Sequence, residues 1–220
     1  MKGFAEVKAA ILSALTPELT RSGFSYRPSS ERFVRKAGKG IAHYYHVLIT
    51  ESEPFVRGDV HIASRLDVVE DIFHRTSGYE RRYQSPTPTM GGALDAITGN
   101  PEFKMLLDRE NGPHRAQSML LSPCMLAFYE EWYSHFSQLK NIDHELNDDP
   151  LRETPNRPMP WLRCSTGIIV ACLTGSADYD ALARTYSEVM LGFSNGFYLP
   201  RFEALMNDLA TEMKCGGAKA

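Results

Sequence analysis

The stretch Ile41–Ala63, IAHYYHVLITESEPFVRGDVHIA, decides the fold. Ile41–Glu51 and Phe55–Ala63 are rich in β-branched and aromatic residues, and Ser52-Glu53-Pro54 separates them. Two such runs around a short turn read as an antiparallel hairpin. A two-residue loop at Ser52-Glu53 pairs Glu51 with Pro54, and strand side chains alternate between faces. His43, Tyr45 and Ile49 then share an apolar face with Ile62, Val60 and Val56. The other face carries Tyr44 beside His61, His46 beside Asp59 and Leu48 beside Arg57. Side chains directly opposite one another have Cβ atoms about 5 Å apart. His46, Asp59 and His61 are therefore candidate metal ligands or an acid–base set, since two imidazoles and a carboxylate suit both. The same residues equally suit the solvated face of an antiparallel sheet.

Upstream of the hairpin, Phe4, Val7, Ile11, Leu15 and Leu19 recur at three- and four-residue spacing and predict a helix. Gly23 fits its left-handed stop. Phe24–Tyr26 and Arg32–Lys36 add strand-like runs, so the first third reads as a helix followed by an antiparallel meander. A second helix is predicted from about Leu66 to His74. From Glu80 to Pro113 the pattern weakens, and Ser85–Gly92 reads as irregular chain or an edge strand. Beyond it the chain is helical. Met125, Tyr129, Trp132, Phe136 and Leu139 step 4, 3, 4, 3 and predict one helix over residues 122–139, with Glu130 and Glu131 facing solvent. Asp149–Pro160 holds four prolines in twelve residues and reads as a linker or wrapped loop. Helices over Trp161–Leu173, Asp178–Met190 and Pro200–Met213 close the chain. Segregated elements of this kind predict an α+β fold, with an antiparallel meander packed by N-terminal helices and a mostly helical C-terminal half. The halves are placed at 1–113 and 114–220, as two regions or one continuous domain.

The 220 residues are 43% hydrophobic and 23% charged, enough for a sizeable core. Lys+Arg 24 against Asp+Glu 27 gives a net charge of −3, which speaks against a dedicated nucleic-acid binder. No apolar run reaches the roughly 20 residues of a membrane span. Cys124, Cys164, Cys172 and Cys215 match neither C-x-x-C nor a zinc-ribbon spacing. The first three lie among apolar neighbours and are expected to be buried; Cys215 sits in a Gly-Gly tail and is expected to be exposed. Together these features predict a cytoplasmic protein without a cofactor. Gly91-Gly92 lacks the Lys-Ser/Thr of a phosphate loop, and His144-Glu145 lacks the second histidine of a zinc-protease helix.

Charge is uneven along the chain. Six basic residues fall between Arg21 and Lys39 against Glu31 alone. Seven acids fall between Glu130 and Glu153 against Lys140 and Arg152. These are two solvated faces, two segments that meet, or a surface complementary to a partner. On the last reading Glu130, Glu131, Asp143, Glu145, Asp148 and Asp149 are the partner-binding candidates.

The opening helix, Ser22-Gly23-Phe24 and the strand Arg32-Phe33-Val34-Arg35-Lys36 resemble small bacterial α+β domains of unknown function. Some members of that group are proposed to neutralise toxins of interbacterial competition. The resemblance covers roughly residues 3–75 and carries no catalytic motif. It implies a non-enzymatic, protein-binding, immunity-like inhibitor whose partner is a toxin. The alternatives are a metal-dependent enzyme or small-ligand protein using His46, Asp59 and His61, and a homodimeric assembly subunit.

Overall fold

The computed structural model describes residues 3–216, with side chains to Thr211; the expectation for Cys215 lies outside the described side chains. The fold is α+β, an antiparallel sheet followed by a helical C-terminal half. Among the described residues no helix is long and apolar enough to cross a membrane. The chain divides into two compact units, each built from two segments: Met1–Ser64 with Gly91–His135, and Arg65–Met90 with Phe136–Ala220.

The first unit begins with helix α1, Phe4–Arg21, whose Val7, Ile11, Leu15 and Leu19 are at most 1% exposed. Pro17 lies inside the helix without ending it. The stop comes at Gly23, which takes φ 84° while the Gly23 and Phe24 amides donate back to Thr20 and Leu19. Strands β1 (Ser25–Arg27), β2 (Arg32–Gly38), β3 (Ile41–Ser52) and β4 (Phe55–Leu66) then form the expected meander. The hairpin loop is Glu53-Pro54, one residue later than the sequence pattern suggests. Arg109 explains its placement: the buried guanidinium donates to Pro54 O at 3.2 Å, Glu51 Oε1 at 3.1 Å and Glu53 Oε1 at 2.5 Å. The later loop leaves His43, Tyr45, Val56, Val60 and Ile62 buried, because a two-residue slip keeps every side chain on its face.

Strands β5 (Met90–Ala93) and β6 (Lys104–Leu107) both pair with β4, separated by the short helix α4 (Leu94–Thr98). Gly91 is required there by close approach: a Cβ would sit 2.5 Å from Ala63 Cβ and 2.7 Å from Ile62 O. Helices α5 (Gly112–Leu120) and α6 (Pro123–His135) complete the unit. Tyr129 meets the Tyr45 ring edge-on at 5.2 Å, and the Tyr133 hydroxyl donates to Tyr44 O at 2.8 Å, which seats α6 on one sheet face. Tyr129, Trp132 and Phe136 are buried as expected, whereas Met125 is only half-buried. The helix ends at His135 rather than 139, and a new one begins after Gln138. Cys164 is buried and Cys172 half-buried, but Cys124, at the second position of α6, is exposed, contrary to expectation. Its turn precedes the part of α6 that reaches the sheet.

The second unit contains α2 (Asp67–Thr76), α3 (Arg81–Gln84), α7 (Leu139–Asn147), α8 (Pro160–Thr174), α9 (Tyr179–Gly192) and α10 (Leu199–Gly216). Helix α8 is its centre, with residues Cys164 to Ala171 all buried, and it packs against α2, α7, α9 and α10. Trp161 stacks on Tyr198 at 4.7 Å and meets Phe73 of α2 at 5.7 Å.

Candidate functional site

Strand pairing determines what the open face of the first unit's sheet displays. Arg27 pairs with Arg32, Arg32 with His46, Arg57 with Leu106 and Asp59 with Lys104. Alternation sets all of these opposite the buried Phe33, Tyr45, Val56 and Leu107. Arg27, Arg32, Lys36, Arg57 and Lys104 therefore share the outer face with Asp59. Arg32 lies over the Tyr44 ring at 4.5 Å, Arg57 bonds Asp59 at 3.0 Å and Lys104 bonds Asp95 at 3.0 Å. Amid these cations Leu48, Phe55 and Leu106 are 41%, 39% and 49% exposed. Apolar side chains exposed together inside a charged border are the usual composition of a protein interface.

The three candidate ligands also stand on this face. His46 and His61 have ring centroids 6.4 Å apart, and burial lowers the His46 pKa ahead of the charges of His61 and Arg32. Asp59 is engaged by Arg57. Among the described residues no group of three or more His, Cys, Asp or Glu side chains is arranged to hold a metal ion.

Of the six acidic candidates, four make side-chain contacts within the protein itself. Glu130 reaches across from α6 and binds Arg35 at 2.5 and 3.0 Å. Asp143 accepts from Asn147 Nδ2 at 2.5 Å and Thr174 Oγ1 at 2.9 Å, and Glu145 accepts from Thr154 and from Asn156 Nδ2 at 3.0 Å. Asp148 pairs with His144, while Glu131 and Asp149 are exposed. The basic and acidic runs thus meet where Arg35 binds Glu130.

That meeting point has a pH consequence. Arg35 lies over the Phe24 ring at 4.7 Å and the Tyr133 ring at 5.3 Å, and donates to His43 Nδ1 from Nε at 3.3 Å. His43 stacks on Tyr133 at 4.4 Å. Burial and then the Arg35 charge lower its pKa to about 4, against a smaller opposing effect of Glu130. An unfolded chain protonates this imidazole near 6.5, so its contribution is complete above that pH and is lost as pH falls toward 4. The loss amounts to about 3 kcal/mol. Urea melts from pH 8 to 4 should show a fall in stability below pH 6.5 that is reduced in His43→Gln. Equal profiles for the two proteins between pH 6.5 and 5 would contradict this.

The second unit holds a cleft of about 540 Å³. Arg65, Asp67, Asp71, His74 and Arg75 line it from β4 and α2, and Arg81, Gln84 and Ser85 from α3 and its end. Behind it lies Glu70, fully buried, accepting from Thr87 Oγ1 at 2.6 Å and Thr89 Oγ1 at 3.0 Å. Burial raises the Glu70 pKa, opposed by Arg157, Thr87, Arg65 and Thr89. Arg157 is itself buried and donates to Pro88 O at 2.7 Å, and among the described residues its Nε has no hydrogen-bond partner. Arg65 donates from Nη1 to Gln84 O at 3.0 Å and Thr87 O at 2.9 Å, and His74 Nε2 sits 2.6 Å from Thr87 Oγ1. Four buried or half-buried side chains thus hold the 84–89 segment and fix the cleft wall. Sequence reading missed this cleft. Asp67, Asp71, His74 and Arg75 share one face of α2 at four- and three-residue spacing, which was the available signal.

Comparison of the chain with protein-family models, with curated proteins and with solved structures finds no match.

Proposed function

We propose that the protein is a non-enzymatic protein-binding module that docks an acidic partner surface on the outer face of the first unit's sheet. The observation that carries this reading is the exposed Leu48, Phe55 and Leu106 set among Arg27, Arg32, Lys36, Arg57 and Lys104. The apolar centre supplies area to remove from water, and the cations supply association rate and orientation. The partner class follows from the sign of the face, which is basic although the chain is net acidic. A toxin held in this way is the partner that the resemblance of residues 3–75 suggests, and the protein then acts in the cytoplasm by occlusion. The docking face differs from the acidic segment of the sequence analysis, because Glu130, Asp143 and Glu145 already serve internal contacts.

A photo-crosslinking residue at position 106, introduced into the protein in the cells that make it, tests the reading. One protein adduct is expected, absent when the label is placed at the exposed Leu191 instead. Arg57→Glu should reduce that adduct about tenfold, and Leu48→Ala should shorten complex lifetime without lowering the melting temperature. An RNA adduct, or labelling indifferent to Arg57→Glu, would overturn the proposal. An adduct with a second copy of the chain would favour the homodimeric subunit.

A second reading rests on the adjacent His46 and His61 imidazoles, which could bind a divalent metal together with a ligand from outside the chain. Stoichiometric zinc, iron or manganese in the purified protein, lost in His46→Ala, is its expected signature.

A further inference from the structure

The cleft of the second unit is independent of the sheet face and has a feature that its structural network does not use. Arg65 is more than nine-tenths buried and lines the cleft. Its Nε is committed to Asp67 Oδ1 at 2.7 Å, and its Nη1 to the carbonyls of Gln84 and Thr87 and to Thr87 Oγ1. Among the described residues Nη2 has only Asp71, at 3.9 Å, beyond hydrogen-bond distance. A buried guanidinium held rigidly by backbone carbonyls, with one nitrogen left for the cleft, is a preorganised donor. Asp71 is a loose neighbour, with a side chain 74% exposed.

The surrounding charges indicate what that donor takes. Asp67 is neutralised by Arg65 itself, and Arg75 is paired with Asp208 at 3.1 Å. Arg81, at the start of α3, is exposed and lines the same cleft as Arg65. Gln84 and Ser85 add polar groups beside it. We propose that this cleft binds a small oxyanion-bearing ligand, a phosphate ester or a carboxylate, held by Arg65 Nη2 and closed over by Arg81. The entering oxyanion displaces Asp71, whose carboxylate competes for the same guanidinium. The volume of about 540 Å³ is within the range of sites for small organic ligands.

The test is calorimetric titration of the full chain with inorganic phosphate and, separately, with succinate, at ionic strength held constant with sodium chloride. Arg65 variants would release the 84–89 segment, so the decisive variants are Arg81→Ala and Asp71→Asn, both at exposed positions. Saturable binding is expected, about tenfold weaker in Arg81→Ala, since one charge-assisted contact is lost. Asp71→Asn should bind several-fold more tightly, because a competing carboxylate has gone. Preference for phosphate would point to a phosphate ester, and preference for succinate to a carboxylate. Absence of saturable binding to either at tens of millimolar would overturn the proposal. So would affinities that neither variant changes.

Discussion

Glu70→Ala should destabilise the protein by about 3–5 kcal/mol, the usual consequence of removing one partner from a buried ionic cluster. The carboxylate is 0% exposed and lies 3.8 Å from Arg65 Nη1 and 3.6 Å from His74 Nε2. Arg157, also buried, acts on it through its charge. Truncation leaves the buried Arg157 without the carboxylate that balances it, leaves Arg65 with Asp67 as its paired counter-charge, and takes the carboxylate acceptor from Thr87 and Thr89. With total stabilities of typically about 5–15 kcal/mol, much of the protein's margin would be lost. Glu70→Gln also removes the charge but keeps one carbonyl acceptor, for Thr87 or for Thr89, and should cost less; its loss relative to the parent reads mainly the ionic part. Urea denaturation of both against the parent checks this. A change below about 0.5 kcal/mol for Glu70→Ala would mean that the cluster does not hold the 84–89 segment.

Trp132→Ala should be comparably damaging, at about 3–5 kcal/mol. Trp132 is 6% exposed and meets the Tyr133 ring at 5.4 Å, nearly perpendicular. Tyr133 in turn stacks on His43 and bonds Tyr44 O, so a cavity at 132 loosens the residues that seat α6 on the sheet. The yield of soluble protein should fall and the melting midpoint drop. An unchanged midpoint would place Trp132 at a surface instead of in a core.

These two sites differ in how far the sequence discloses them. Trp132 belongs to a stripe with Tyr129 and Phe136, and helical periodicity alone marks it as buried. The same stripe hides the end of the helix at His135, because Phe136 stays buried after the helical turn has stopped. The hairpin is equally plain from Ile41–Ala63, but its loop shifts by one residue to meet Arg109, which is more than fifty residues away. The four-residue strands Met90–Ala93 and Lys104–Leu107 are too short for a period, and Gly91 reads as a turn until the approach of Ala63 is seen. The ion pair of Glu130 is hidden for a similar reason: its partner Arg35 lies 95 residues earlier, and no local pattern records the pair. The candidate face itself is half legible. Arg32, His46, Leu48 and Arg57 follow from alternation along the meander, whereas Leu106 and Lys104 join it only through the pairing of β6 with β4.

Hydroxyl-radical footprinting of the protein, free and bound to the partner captured at position 106, tests the central claim most directly. The proposal predicts that Leu48, Phe55 and Leu106 oxidise more slowly in the complex, while the exposed Leu151 and Leu191 of the second unit react as before. Unchanged oxidation of the first three, with protection confined to the second unit, would contradict docking on the sheet.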